Sequence, residues 1–397
     1  NGEPFNAQVA KWNIERSAAE GTKNAHPEFF RVIAKIESPD DLTLKLNLKE
    51  VDALFFVHMA EGDAVMLPMK GFENTAAAPV GTGPFKFSKW TRGDSVEMVR
   101  NEKYWNPMLP YLDKVTYRFI KDASAQVAAL KAGDVDIIGW LFAPELAADI
   151  AKDKRFKVLA GASTSEVIMS TTNTGTPFDY KLVRQAMAHA IDRQTVIEFI
   201  MAGYGTVIGS HWPPFTPYYK DMTGRFPYDL KKAKALMAKA GYPNGFEATI
   251  KLPAIYAYAQ RAGEVIADML GQIGIKLKIE VVEWGYWLDR VFKQKDFQLS
   301  MIGHAEAWDI GIYANPNYYF QYDSQEFRDA YAKALKAPNE AEKAKWFGRC
   351  QEIVAEDAVN GFLFLTPSLS AMKVELMGWW ENYPTIALDC TEVWWQK

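Results

Sequence analysis

The segment His304-Ala305-Glu306-Ala307-Trp308-Asp309 gathers acids, an imidazole and an indole into one short stretch. It follows Phe297-Gln298-Leu299-Ser300-Met301-Ile302, an apolar run with the length of a strand. Such a cluster directly after a strand is where α/β sheets place ligand contacts, at the carboxyl ends of their strands. Asp309 and Glu306 are the acids placed for such a contact. His304 and Glu306 are also metal-ligating types, but their i, i+2 spacing offers two ligands with no third in view, so no metal site is expected. Rings come from three further places: Glu283-Trp284-Gly285-Tyr286-Trp287, the series Tyr313, Tyr318, Tyr319 and Tyr322, and the proline-rich His211-Trp212-Pro213-Pro214-Phe215. Converging on one cleft, they would suit a sugar face or a peptide side chain; packed inward, they would be ordinary core. The candidate ligand-binding set is Asp309, Trp308, Glu306, His304, Trp284, Trp212, Tyr286 and Tyr318.

No catalytic apparatus is legible. The chain has no G-x-S-x-G elbow, no P-loop and no H-E-x-x-H. Gly81-Thr82-Gly83 lacks a third glycine and a Gly-Lys-Ser/Thr ending, which argues against a nucleotide cradle. Neither a catalytic residue nor a cofactor is expected.

The elements that must position these residues alternate between helix and strand. Asp41–Leu48 alternates apolar and polar, the period of a half-buried strand. Residues 122–132 read as a helix with Ser124 as cap and Gly133 as its end, followed by a strand at 135–140. Residues 181–201 read as one helix with Val183, Met187, Ile191 and Val196 on a buried stripe. Helices at 230–240 and 263–273, a strand at 275–282 and a long helix at 341–358 complete an α/β pattern.

A chain of 397 residues exceeds one ordinary core, so two or more domains are expected. The net charge of −4 is spread among interspersed acids and bases, which gives no nucleic-acid footprint. No apolar run approaches the length of a membrane span. Cys350 and Cys390 leave one disulfide open as an alternative to two free thiols, the latter if helix and tail lie apart.

The stretch Val80-Gly81-Thr82-Gly83-Pro84-Phe85-Lys86-Phe87-Ser88-Lys89-Trp90, with Asn101-Glu102-Lys103-Tyr104-Trp105, sets a fixed turn into an alternating strand. It resembles the signature of extracellular solute-binding protein family 5, the dipeptide- and oligopeptide-binding proteins of bacterial ABC importers. Further segments are similar to the family in the same order: Tyr111–Phe119, Ala128–Asp136, Thr172-Asn173 with Pro177–Asp179 and Val183–Met187, Tyr228–Lys234 with Ala240–Phe246, and Ile273–Leu277.

The resemblance implies an α/β, two-lobed periplasmic binding protein (type II, peptide-binding cluster) with its ligand cleft between lobes. The first lobe would hold residues 1–170 and 372–397, the second 171–371. The family has about a hundred residues, most of a small domain, ahead of the part resembling Asn1–Phe5, so the first lobe's N-terminal part is expected to be missing. Asp309 is the nearest match to an aspartate that accepts a peptide's α-ammonium, although Trp308 and Ile310 replace the glycine and proline usual beside it. The expected function is capture of a short peptide or similar small polar solute by lobe closure, without catalysis. Partners would be the membrane permease subunits of an importer, with no nucleic acid, and the protein would be a monomer in the periplasm or at the extracellular face. A sugar or opine is the alternative ligand; an enzyme with an aromatic cleft, such as a glycosidase, is the alternative of another class.

Overall fold

The computed structural model describes residues 1–141, 143–306, 308–383 and 387–396. Ala307, inside the polar segment, and Pro384, in the expected first-lobe tail, lie outside the described residues.

A seven-stranded mixed sheet organises the chain. Its order is Ile275–Val282, Phe246–Pro253, Leu299–His304, Phe156–Thr171, Gly361–Lys373 and Ile137–Ile138, with Thr206–Val207 paired to one end of Gly361–Lys373. The first three strands run parallel, and Leu299–His304 turns antiparallel onto Phe156–Thr171. Side chains alternate across the pleat. Val167, Met169, Leu299 and Met301 therefore face a core built with helices Lys181–Ala190, Arg193–Met201, Leu230–Lys239 and Ala257–Gly271. Ile168 and Ile302 face the opposite core, under helices Gln325–Leu335 and Glu340–Glu356.

The other ends of the two long strands serve different cores. Phe156, Leu369 and Ala371 pack with Leu130, Ile138 and Ile150. Met372, Leu376, Trp379, Cys390 and Val393 pack with Phe85, Val115, Tyr117 and Leu159, so the end of the chain returns to strands near its beginning. The return is tight: a Cβ on Gly161 would lie 1.9 Å from the Glu381 carbonyl oxygen, and Asn382 accepts the Ala162 N–H at 2.8 Å. A separate antiparallel sheet, Phe85–Thr91, Ser95–Arg100 and Lys114–Arg118, carries that core's outer face.

Several expected elements are redrawn. The 181–201 helix is two, Lys181–Ala190 and Arg193–Met201. Asp192 caps the second by accepting the Gln194 and Thr195 N–H groups, a stronger local signal than the apolar stripe that runs through it. The helix Ala123–Ala132 is capped by Asp122 rather than Ser124, and Gly133 ends it at φ 86°. The strand expected at 135–140 shrinks to Ile137–Ile138, and that at 41–48 to Lys45–Leu48. Ile275–Val282 is a strand over the expected residues. Both cysteines are free and buried, Cys350 under the helices and Cys390 in the tail's core. Among the described residues, no helix is long and apolar enough to cross a membrane.

Candidate functional site

The sheet register builds the site. Glu166 and His304 stand opposite each other in the antiparallel ladder, so their side chains share the face that carries Ile168 and Ile302. Asp309 opens a 3-10 turn, Asp309–Ala314, after Trp308 enters the left-handed region at φ 75°. His211 reaches the same point from the loop after Thr206–Val207. Its Nε2 lies 2.7 Å from Asp309 Oδ1, and His304 Nδ1 lies 3.5 Å from Asp309 Oδ2.

Two donor chains end on this carboxylate. Asn360 Oδ1 accepts the Thr171 N–H at 3.0 Å, which leaves its amide N–H to donate to the Tyr313 hydroxyl, also at 3.0 Å. Tyr313 can then donate to His211 Nδ1 at 3.2 Å, and His211 Nε2–H donates to Asp309. On the other side, Ser170 is bonded to the Tyr319 hydroxyl, which lies 3.2 Å from His304 Nε2. His304 Nδ1–H then points at Asp309. Burial works against ionising Asp309, but the two imidazoles that face and bond it, His211 first and then His304, outweigh that and hold the carboxyl well below its ordinary range. Glu166 goes the other way: burial first, then the Asp309 charge, push its carboxyl well above the usual value. One Glu166 oxygen, Oε2, is buried without a hydrogen bond, 3.5 Å from His211 Nδ1.

The Asp309 side chain keeps 17% of its surface exposed, against 1% for His211 and 8% for His304. Asp309 is thus the member of the cluster whose side chain lies nearest to solvent. Its charge is felt by Glu61, in the N-terminal segment. Glu61 is pushed up to about 7 by its own burial, then by Asp63, with smaller contributions from the charges of Glu306 and Asp309. Asp63 Oδ2 lies 3.1 Å from His26 Nδ1, and the Phe29 ring stacks on His58 at 3.8 Å.

The remaining candidates divide. Glu306 is exposed, and its charge reaches the half-buried Tyr256 hydroxyl, whose pKa burial raises first. Trp284 stacks on Trp287 at 5.1 Å and meets Tyr256 edge-on at 5.7 Å. Tyr318 is half-buried, its ring 6.3 Å from His304. Trp308 is half-buried against Trp212 and Tyr218. Trp212 is 1% exposed, its indole N–H donated to the Pro217 carbonyl, and it packs in the core behind Trp308. Tyr286 stands on an exposed turn where its ring meets the Lys251 ammonium at 5.7 Å. Reading the sequence placed His211 and Tyr313 in ring-bearing segments without giving them a role, and missed Glu166 and Asn360. Of the latter two only Glu166 carried a signal, as an acid directly ahead of the apolar run Val167-Ile168-Met169.

Glu61 supplies a pH test. Its folded pKa of about 7 lies above the ordinary carboxyl value of 4.5, so stability is full below about pH 4.5 and falls as pH rises through 7. Partial exposure trims the cost to roughly 1 kcal/mol. Glu61→Gln should match the wild type in denaturant midpoint at pH 4 and exceed it at pH 8. Equal midpoints at both values would show that Glu61 ionises without cost.

The sequence matches the family model described as bacterial extracellular solute-binding proteins, family 5 middle, over residues 1–329. The glutathione-binding protein GsiB of Escherichia coli K12 is 29% identical, with 96% of this chain and 78% of that protein covered. Among solved structures, the PBP AgaA of A. tumefaciens R10, in complex with agropinic acid, is 28% identical with a TM-score of 0.83, covering 100% of this chain and 84% of that one. The periplasmic binding protein DppA of Helicobacter pylori, in complex with the peptide STSA, is 26% identical with a TM-score of 0.85, covering 99% and 82%.

Proposed function

The chain belongs to the bacterial extracellular solute-binding proteins of family 5, and we propose that it captures a short peptide or similar small polar solute through a cationic group held by Asp309. It has the two-lobed α/β fold of its periplasmic relatives. The observation that carries the proposal is the mostly buried side chain of Asp309, its carboxyl held well below its ordinary range and served by two imidazoles. A cation in a dry cleft needs such a partner, because an unpaired charge there is costly and a charge-assisted hydrogen bond offsets that cost.

In this reading residues 1–170 and 372–397 form one lobe and 171–371 the other. The packing of Leu376, Trp379 and Val393 against Phe85, Val115 and Tyr117 supports placing the tail with the first. Glu306, Trp284, Tyr318 and Trp308 line the approach to Asp309; Trp212 backs Trp308 from the core. The lobes close on the solute by hinge motion. The protein acts as a monomer at the extracellular face or in the periplasm, and the permease subunits of an importer read the closed form. It performs no covalent chemistry.

Small-angle scattering tests closure. Glutathione, a tetrapeptide and agropinic acid, the kinds of solute its relatives hold, are the first probes. At saturation by whichever probe binds, the radius of gyration should fall. An unchanged radius at saturation, or recovery of a chemically altered solute, would count against a receptor that works by closure.

A further inference from the structure

We propose that His211, His304 and Asp309 together bind one divalent transition-metal ion of the zinc, nickel and copper class. The inference builds on the reading that Asp309 faces the solute, and it makes the cation held there a metal as well as an ammonium.

One ligand atom from each residue lies within 4.8 Å of the other two. The three come from separate pieces of chain: a loop, the end of the strand Leu299–His304, and the turn Asp309–Ala314. Sheet register and core packing therefore fix their spacing, not local flexibility. Two imidazoles and a carboxylate suit a borderline cation; calcium and magnesium prefer all-oxygen shells. The reach of Asp309 to solvent leaves a fourth position on the open side, where water or an amine and carboxylate of a solute would complete the shell.

The surroundings of the imidazoles make the stronger case. A metal-bound histidine donates its other ring N–H to a carboxylate, carbonyl or hydroxyl, which fixes the ring and its tautomer. Both rings have that second partner. His304 turns Nδ1 to the cluster and Nε2 to the Tyr319 hydroxyl at 3.2 Å. His211 turns Nε2 to the cluster and Nδ1 to the Tyr313 hydroxyl at 3.2 Å and to Glu166 Oε2 at 3.5 Å. Glu166 is 3% exposed, and Oε2 is a buried polar atom with no hydrogen bond. Such an orphan in a strand interior calls for an explanation. Coordination through Nε2 forces the proton of His211 onto Nδ1, and that N–H then points at Glu166 Oε2. The orphan acquires a donor at the moment the metal arrives.

The test uses the full chain stripped with a chelator, then dialysed against zinc or nickel alone, with no solute. Bound metal is counted by mass spectrometry, affinity is read by calorimetry, and cobalt(II) substitution reports the coordination number by its visible absorption. The expected result is one saturable equivalent and a four- or five-coordinate cobalt spectrum. Asp309→Asn and His304→Gln should each abolish the tight equivalent. Glu166→Gln, which touches no metal, should weaken it by about tenfold or more while the cobalt spectrum keeps its shape. Melting curves confirm that each variant is folded. Absence of a saturable equivalent in the wild type, or an equivalent that survives in a folded Asp309→Asn, His304→Gln double variant, overturns the proposal. Because no solute enters the assay, that failure leaves the receptor reading standing.

Discussion

Asp309→Asn should weaken binding of a solute with a free amino group by well over tenfold and leave its N-acetylated form nearly untouched. Breaking one half of a buried charge pair costs about 2–5 kcal/mol, and each 1.4 kcal/mol is about a factor of ten in affinity. Asparagine keeps the shape but not the charge. It also offers one oxygen and one NH2 group to two imidazole N–H donors, where the carboxylate offered an oxygen to each. Some local rearrangement follows, so the comparison of the two solutes carries the weight, not the absolute loss. Calorimetry in metal-free buffer reads the ammonium contact by itself. Equal binding of the free and acetylated solutes to the wild type would move the contact away from Asp309 and toward the aromatic residues.

The second large effect is on stability. Arg184→Ala should cost about 3 kcal/mol through the carbonyls it leaves unsatisfied, seen as a fall of about 1 M in the urea midpoint. Arg184 is 8% exposed, and its guanidinium spans two backbone turns. Nη1 donates to the Phe178 and Asp179 carbonyls at 2.7 and 3.2 Å. Nη2 donates to Asp357 at 3.0 Å, and Nε to Ala358 at 3.1 Å. The side chain thereby ties the helix Lys181–Ala190 to the turn that leads into Gly361–Lys373. Removing it strands several buried carbonyls at once. Arg184→Lys should recover little, since one ammonium cannot reach both turns in the planar fork that arginine presents. A midpoint unchanged in the alanine variant would mean that water replaces the guanidinium without penalty.

What could be read from the chain divides along a physical line. Ile275–Val282 was legible because its alternation starts directly after Gly274, and the end of Ala123–Ala132 because only a residue at ease with positive φ closes a helix that way. The break at Asp192 was hidden because the apolar stripe keeps its helical period through Ile191 while the chain does not. In the candidate site, His304 and Asp309 are near neighbours in sequence and could be paired on that ground. His211 from a loop, Tyr313 from a turn, and Glu166 and Asn360 placed by the sheet come together only in the folded chain, with Glu166 opposite His304 and Thr171 bonded to Asn360. No local pattern encodes such long-range pairings. Trp212 shows the same limit: its neighbourhood spoke for a loop ring, but which way a loop ring points depends on what packs behind it.

The return of the tail has a consequence for the order in which the molecule is made. Tyr117 donates its hydroxyl to the Leu388 carbonyl at 2.7 Å, across 271 residues of chain. The core around Phe85, Val115 and Tyr117 is completed by Leu376, Trp379 and Val393, which a ribosome delivers more than 200 residues later. Bringing such distant segments together carries the loop-closure entropy of the whole intervening chain and slows folding. A nascent chain of this protein therefore leaves the Phe85–Tyr117 side of that core open until residues 376–393 have been synthesised, and the closing of that core is a late event that no earlier segment can bring about.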